Sequence, residues 1–191
     1  MRELLAALLL PLSLAGADDP RVELTFRDPE IVESSGLAVV GDWVVTTNDS
    51  GDTGRVFVVD RDGRTVGVTG WGDPRDVEAL APGGDGTVWV GDIGDNSAVR
   101  DSVRVSNVPV GGADADVDGP AYELVYPDGA RDAESLLVDP ATGCGRTRSS
   151  RAGPGPRGTR SGAARPAETS WWSAAPSRRG CRPGSAPAAR R

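Results

Sequence analysis

From residue 22 to residue 126 the chain alternates short apolar, β-branched runs with clusters of glycine, proline and aspartate. Seven runs of four to six residues stand out: Val22–Phe26, Trp43–Thr47, Val56–Val59, Thr65–Thr69, Thr87–Val90, Val103–Val108 and Tyr122–Tyr126. Valine, threonine and aromatic side chains suit a pleated, half-buried surface, and the intervening turn residues interrupt any helical period. Each run is therefore expected as a β-strand. Asp60-Arg61-Asp62-Gly63 falls between two of them as a tight hairpin turn, because Gly63 takes positive φ without a steric penalty.

The runs recur in a longer pattern. LAVVGDWVVTTNDSGD (Leu37–Asp52) aligns without a gap to LAPGGDGTVWVGDIGD (Leu80–Asp95), with 8 of 16 positions identical. Upstream, Glu33-Ser34-Ser35-Gly36 occupies the slot of Asp76-Val77-Glu78-Ala79. A third copy begins at Asp132-Ala133-Glu134-Ser135-Leu136-Leu137 and reaches the turn Asp139-Pro140-Ala141-Thr142-Gly143. Offsets of 43 and then 56 residues fall around the spacing of β-propeller blades. Each unit reads as an inner strand ending near Ala38 or Ala81, a second strand, the Asp-x-Gly-Asp turn and an outer hairpin, which makes one four-stranded blade. A β-sandwich also uses short strands between glycines and prolines, but it does not require an ungapped repeat. The expected fold is all-β: a partial β-propeller of two to three four-stranded blades over residues 18–143, with a disordered C-terminal tail.

Composition changes the picture at both ends. Residues 1–17 combine Arg2, an apolar run from Leu4 to Leu14 and the small triplet Ala15-Gly16-Ala17, the pattern of a signal peptide cleaved before Asp18. The apolar run is too short to span a bilayer, so the mature chain is expected to be secreted, with no transmembrane segment. At the other end, continuing the repeat places a second strand from residue 144 and an Asp-x-Gly-Asp turn at 148–151. Arg148-Ser149-Ser150-Arg151 stands there instead. Residues 1–143 carry 27 acids against 10 arginines, whereas residues 144–191 carry one acid against 11. Arg, Ala, Gly, Pro and Ser dominate the latter and bury too little apolar surface to offset the entropy of ordering, so 144–191 is expected to be disordered. The abrupt change at the expected strand start reads as a shift of reading frame in a GC-rich gene. The rival, a basic tail for acidic polymers, fits poorly with the many prolines and the lack of lysine, and no nucleic-acid partner is expected. Both cysteines, Cys144 and Cys181, lie in this tail, so residues 18–143 use no disulfide.

All 21 basic residues are arginine, with neither lysine nor histidine. That removes Ser-His-Asp and Cys-His chemistry, imidazole metal ligands and Schiff-base or P-loop lysines, leaving Asp, Glu or Tyr for any proton transfer. No catalytic residue is assigned. Asp76 with Glu78, and Asp132 with Glu134, form two pairs at i and i+2 on innermost strands, placed to face an axial channel where they would hold a cation or carry raised pKa values. Against this, Arg75 and Arg131 stand beside the pairs to neutralise them, which would make the motif a packing signature of the repeat. Asp114, Asp116 and Asp118 show the Asp-x-Asp-x-Asp-Gly spacing that opens calcium loops, although position twelve is Val125 rather than Glu and the neighbours read as strands. Calcium is thus the cofactor to consider. Asp49, Asp52, Asp92 and Asp95 are expected to cap turns.

The stretches SGLAV…NDSGD, RDVEALA…GTVWVGDIGDN and YPDGARDAESLLVDPATG, covering about Glu33 to Gly143, resemble a family of secreted bacterial β-propeller proteins of actinobacterial type. That family is uncharacterised in activity and sits near the phytase-like, esterase-like propellers. The chain is similar to an N-terminal fragment of it. The resemblance implies a longer, closed propeller that continues past DPATG with further blades, where this chain departs. The functional expectation is an exported module binding an unknown ligand or protein, truncated, with its function put in question by the missing blades. The alternative is a calcium-dependent phosphoester or ester hydrolase of the phytase-like type.

Overall fold

The computed structural model describes residues 21–126, 129–139, 144–148 and 169–173, with the backbone alone for residues 144 and 169–173. The expected signal segment and most of the tail lie outside the described residues. Within them the chain is all-β, and no helix is present.

The strands fall into three sheets that follow one another along the chain. The first contains β1 (Ser34–Val40), β2 (Trp43–Asn48), β3 (Gly54–Val59) and β4 (Thr65–Gly72), each antiparallel to the next. The second contains β5 (Val77–Gly84), β6 (Thr87–Asp92), β7 (Val103–Pro109) and β9 (Ala121–Leu124), again antiparallel in chain order. Between β7 and β9, the two-residue β8 (Ala115–Asp116) crosses back and pairs in parallel with β4, giving the first sheet a fifth strand. The third sheet joins β10 (Ser135–Asp139), β11 (Cys144–Arg148) and β12 (Thr169–Ser173), antiparallel throughout. The described strands close no barrel.

Apolar side chains explain why the sheets stack. Ala38, Val45, Val56, Val58 and Trp71 of the first sheet pack against Val77, Leu80, Val88, Val90 and Val108 of the second. The opposite face of the second sheet, with Trp89, Val103, Val105 and Leu124, packs on Ala133 and Leu136 beside and within the third. The central sheet is thus buried on both faces, so the run Thr87–Val90 is apolar at successive positions rather than at alternate ones. The first strands sit side by side, β1 against β5 and β5 against β10. At the first crossing a Cβ on Gly36 would fall 2.7 Å from the backbone nitrogen of Leu80, so only glycine lets the strands approach this closely.

Six of the seven expected strands are present. Val22–Phe26 is the exception. It runs beside the β3–β4 turn, where Arg27 N–H donates to the Gly63 carbonyl, and no sheet edge takes it up. The turn itself forms as expected: Gly63 has φ of 83°, and Asp60 Oδ1 accepts from the N–H groups of Asp62 and Arg64. Two short stretches of the tail, 144–148 and 169–173, are strands in the sheet of β10, and the rest of residues 144–191 lies outside the described residues. β11 begins at residue 144, where continuing the repeat would start a second strand, although no strand was expected in 144–191.

Candidate functional site

The two hairpins of the repeat share an irregularity. Ser34 pairs with Asn48 and Gly36 with Thr47, so Ser35 has no partner of its own; Val77 pairs with Asp92 and Ala79 with Gly91, so Glu78 has none. A bulge at the same place in each unit breaks the strand alternation and re-aims one side chain. In the third sheet pairing begins at Ser135, and Glu134, at the equivalent position, donates its N–H to the Arg148 carbonyl. Ser35, Glu78 and Glu134 therefore come from equivalent points of adjacent units. Ser35 Oγ donates to Glu78 Oε2 at 3.4 Å.

Around this line the carboxylates gather. One oxygen each from Asp49, Asp76 and Glu78 lie within 4.8 Å of one another, and so do oxygens from Glu78, Asp132 and Glu134. Glu78 belongs to both groups and joins acids from all three units. Asp49, Asp76 and Glu78 are half-buried, Asp132 is buried and Glu134 is exposed. Asp132 Oδ1 accepts from the Asp95 N–H at 2.8 Å, while its Oδ2 is buried with no hydrogen-bond partner. Gly94, in the Asp-x-Gly-Asp turn, makes the room: a Cβ there would lie 2.4 Å from Asp76 Oδ2 and 2.8 Å from Glu78 Oε1.

The electrostatics follow from the crowding. Burial, and then the charges of Glu134, Asp49, Asp76 and Asp132, push the Glu78 carboxyl up to about 7. Burial also raises Asp76, reinforced by Asp49 and Asp132 and opposed by Arg100. Arg100 is engaged next door: its guanidinium donates to Asp92 Oδ1 at 2.9 Å and to the Gly94 carbonyl at 2.8 Å.

The four acids expected to share a channel are thus brought together. Of the arginines beside them, Arg75 is exposed and meets the neighbouring turn through its backbone N–H, which donates to Asp92. Arg131 is buried with its guanidinium 5.1 Å from the Tyr126 ring. The turn aspartates divide. Asp95 caps the turn, accepting from the N–H groups of Val99 and Arg100, and Asp52 accepts from Thr53 N–H and Arg55. Asp92 forms a buried ion pair with Arg100. Asp49, which occupies the same repeat position as Asp92, accepts from the Ser50 N–H as a turn cap and also joins the carboxylates. The first unit goes from Asp52 straight into β3, while the longer second turn carries Arg100 back onto Asp92. That difference in turn length was the available signal for Asp49.

Asp114, Asp116 and Asp118 are not among the described carboxylates close enough to share an ion. The segment runs extended along β4 rather than curling: Asp114 Oδ1 accepts from Val68 N–H, and Val117 N–H donates to the Gly70 carbonyl. It borders an open groove of about 740 Å³ with Arg55 and Trp71 on its walls. Its charged lining, Arg55 with Asp114 and Asp116, is of mixed sign, unlike the carboxylates at the junction of the three units.

No family model matches the chain, and no curated protein is similar to it. Among solved structures, the crystal structure of the computationally designed Ika4 protein is similar with a TM-score of 0.38 and 18% identity, covering 68% of each chain. A likeness at that level carries no argument about fold or function.

Proposed function

We propose that the chain is part of an exported, non-catalytic binding module of the β-propeller type, which takes a positively charged ligand at the carboxylate junction. Successive antiparallel units with adjacent first strands, the 43-residue repeat and the family resemblance support the propeller reading. Leu37 and Val39 on the first sheet and Leu137 on the third are exposed, on faces where further units would pack. Export rests on residues 1–17.

The observation that carries the binding site is the convergence of Asp49, Asp76, Glu78, Asp132 and Glu134 from three units. Like charges held this close destabilise one another, and a bound cation relieves them. The test is calorimetric titration of the full chain with spermidine, calcium and magnesium, and separately with inorganic phosphate. Saturable binding of at least one cation, weakened in Glu78→Gln, is expected; phosphate alone is not expected to bind. Cation binding indifferent to Glu78→Gln would refute the site. Turnover of a phosphomonoester lost in Glu78→Gln would replace this reading with the hydrolase.

A further inference from the structure

We infer that the occupant of the junction is one calcium ion, held by Glu78, Asp132 and Glu134, with Asp49 and Asp76 flanking it. The inference rests on the reading of the junction as a cation site and names which cation and where.

Donor chemistry, spacing and a buried unpaired oxygen select the ion and its position. First, the donors are all oxygens. The chain has no histidine, and the described cluster contains no sulfur, so hard cations are favoured over zinc or copper. Second, the spacing fits. Calcium–oxygen bonds run about 2.3–2.6 Å, so two oxygens on one ion lie at most about 4.6–5.2 Å apart, which accommodates a group whose ligand atoms lie within 4.8 Å. Three carboxylates also supply up to six oxygens if each binds through both, and calcium accepts such irregular, bidentate shells where magnesium demands an octahedron.

Third, an independent feature separates this group from Asp49–Asp76–Glu78. Asp132 is 95% buried on a 5% exposure, and its Oδ2 has no hydrogen-bond partner. A buried carboxylate oxygen left unpaired is costly, and a cation beside Glu78 and Glu134 would supply the missing partner. Oδ1 is held by the Asp95 N–H, which fixes the carboxylate and reduces what binding must order. Glu78 is common to both groups, so a single ion there also neutralises part of the charge facing Asp49 and Asp76.

The full chain, stripped of metal, is titrated calorimetrically with calcium chloride at pH 7.5, then with magnesium chloride and with spermidine. One calcium per chain is expected, at least about tenfold tighter than magnesium. Glu134→Gln should weaken calcium at least about tenfold, since it removes one of three charged ligands from an exposed position without disturbing the core. Asp132→Asn should abolish binding, and Asp114→Asn should leave it unchanged. If spermidine binds and Glu134→Gln weakens it, while calcium does not bind, the calcium assignment falls and the cationic-ligand reading stands. If no cation binds, both fall. Calcium binding that survives Glu134→Gln but is lost in Asp114→Asn would move the ion to β8 and overturn the placement.

Discussion

Gly94 and Glu78 carry most of the site at the level of single residues. Glu78 sits where a bulge interrupts the β5–β6 pairing, and Gly94 leaves the space that its carboxylate and that of Asp76 occupy. Gly94→Ala would put a methyl group inside contact distance of both carboxylates, which are side-chain ends able to swing away. The expected loss of stability is therefore modest, about 1 kcal/mol by denaturant midpoint with an unchanged slope, but cation binding should weaken because the acids are displaced. Unchanged binding in Gly94→Ala would contradict the geometry. The acid pairs were legible in the sequence because they repeat in register. Asp49 was not, since its chemical type and repeat position match Asp92. The one cue was turn length, since the longer second turn carries Arg100 back onto Asp92.

At the scale of elements, the decisive contact is between first strands. Gly36, Ala79 and Ser135 occupy the same repeat position, and all three are small. For Gly36 the reason is direct: an added Cβ meets Leu80 N at 2.7 Å and the Ala79 carbonyl carbon at 3.0 Å. Backbone cannot move aside as a side chain can, so Gly36→Ala should cost more than Gly94→Ala, about 3 kcal/mol. Gly111→Ala is the control, because a Cβ there meets nothing within 4 Å, and its thermal midpoint should stay at the wild-type value. Equal midpoints for Gly36→Ala and Gly111→Ala would contradict the β1–β5 packing. Strand positions were readable wherever apolar runs met turn residues. Val22–Phe26 was not, because whether an edge is free to accept a strand is not a local property. Neither was β8, two exposed residues that pair only because Gly67 and Gly70 leave β4 open to a close approach.

For the whole molecule, the junction couples three units through one carboxyl. Its effect on stability has a definite sign. An unfolded glutamate titrates near 4.5, whereas folded Glu78 holds its proton up to about 7. Between those values the folded state binds more protons than the unfolded state, so stability falls as pH rises across the window and levels off above it. Asp76, also raised, adds to the same slope. Glu78→Gln should flatten the decline, as should a bound cation. The repeat predicted that equivalent acids would meet, but the extent of their coupling depended on the third unit, whose Glu134 is the leading charge acting on Glu78. The most direct test is therefore a carbon-13 NMR titration of the Glu78 side-chain carboxyl in the metal-free full chain. A midpoint near 7 is predicted, falling in Glu134→Gln. A midpoint near 4.5, unmoved by Glu134→Gln, would mean that the three units do not bring their acids together.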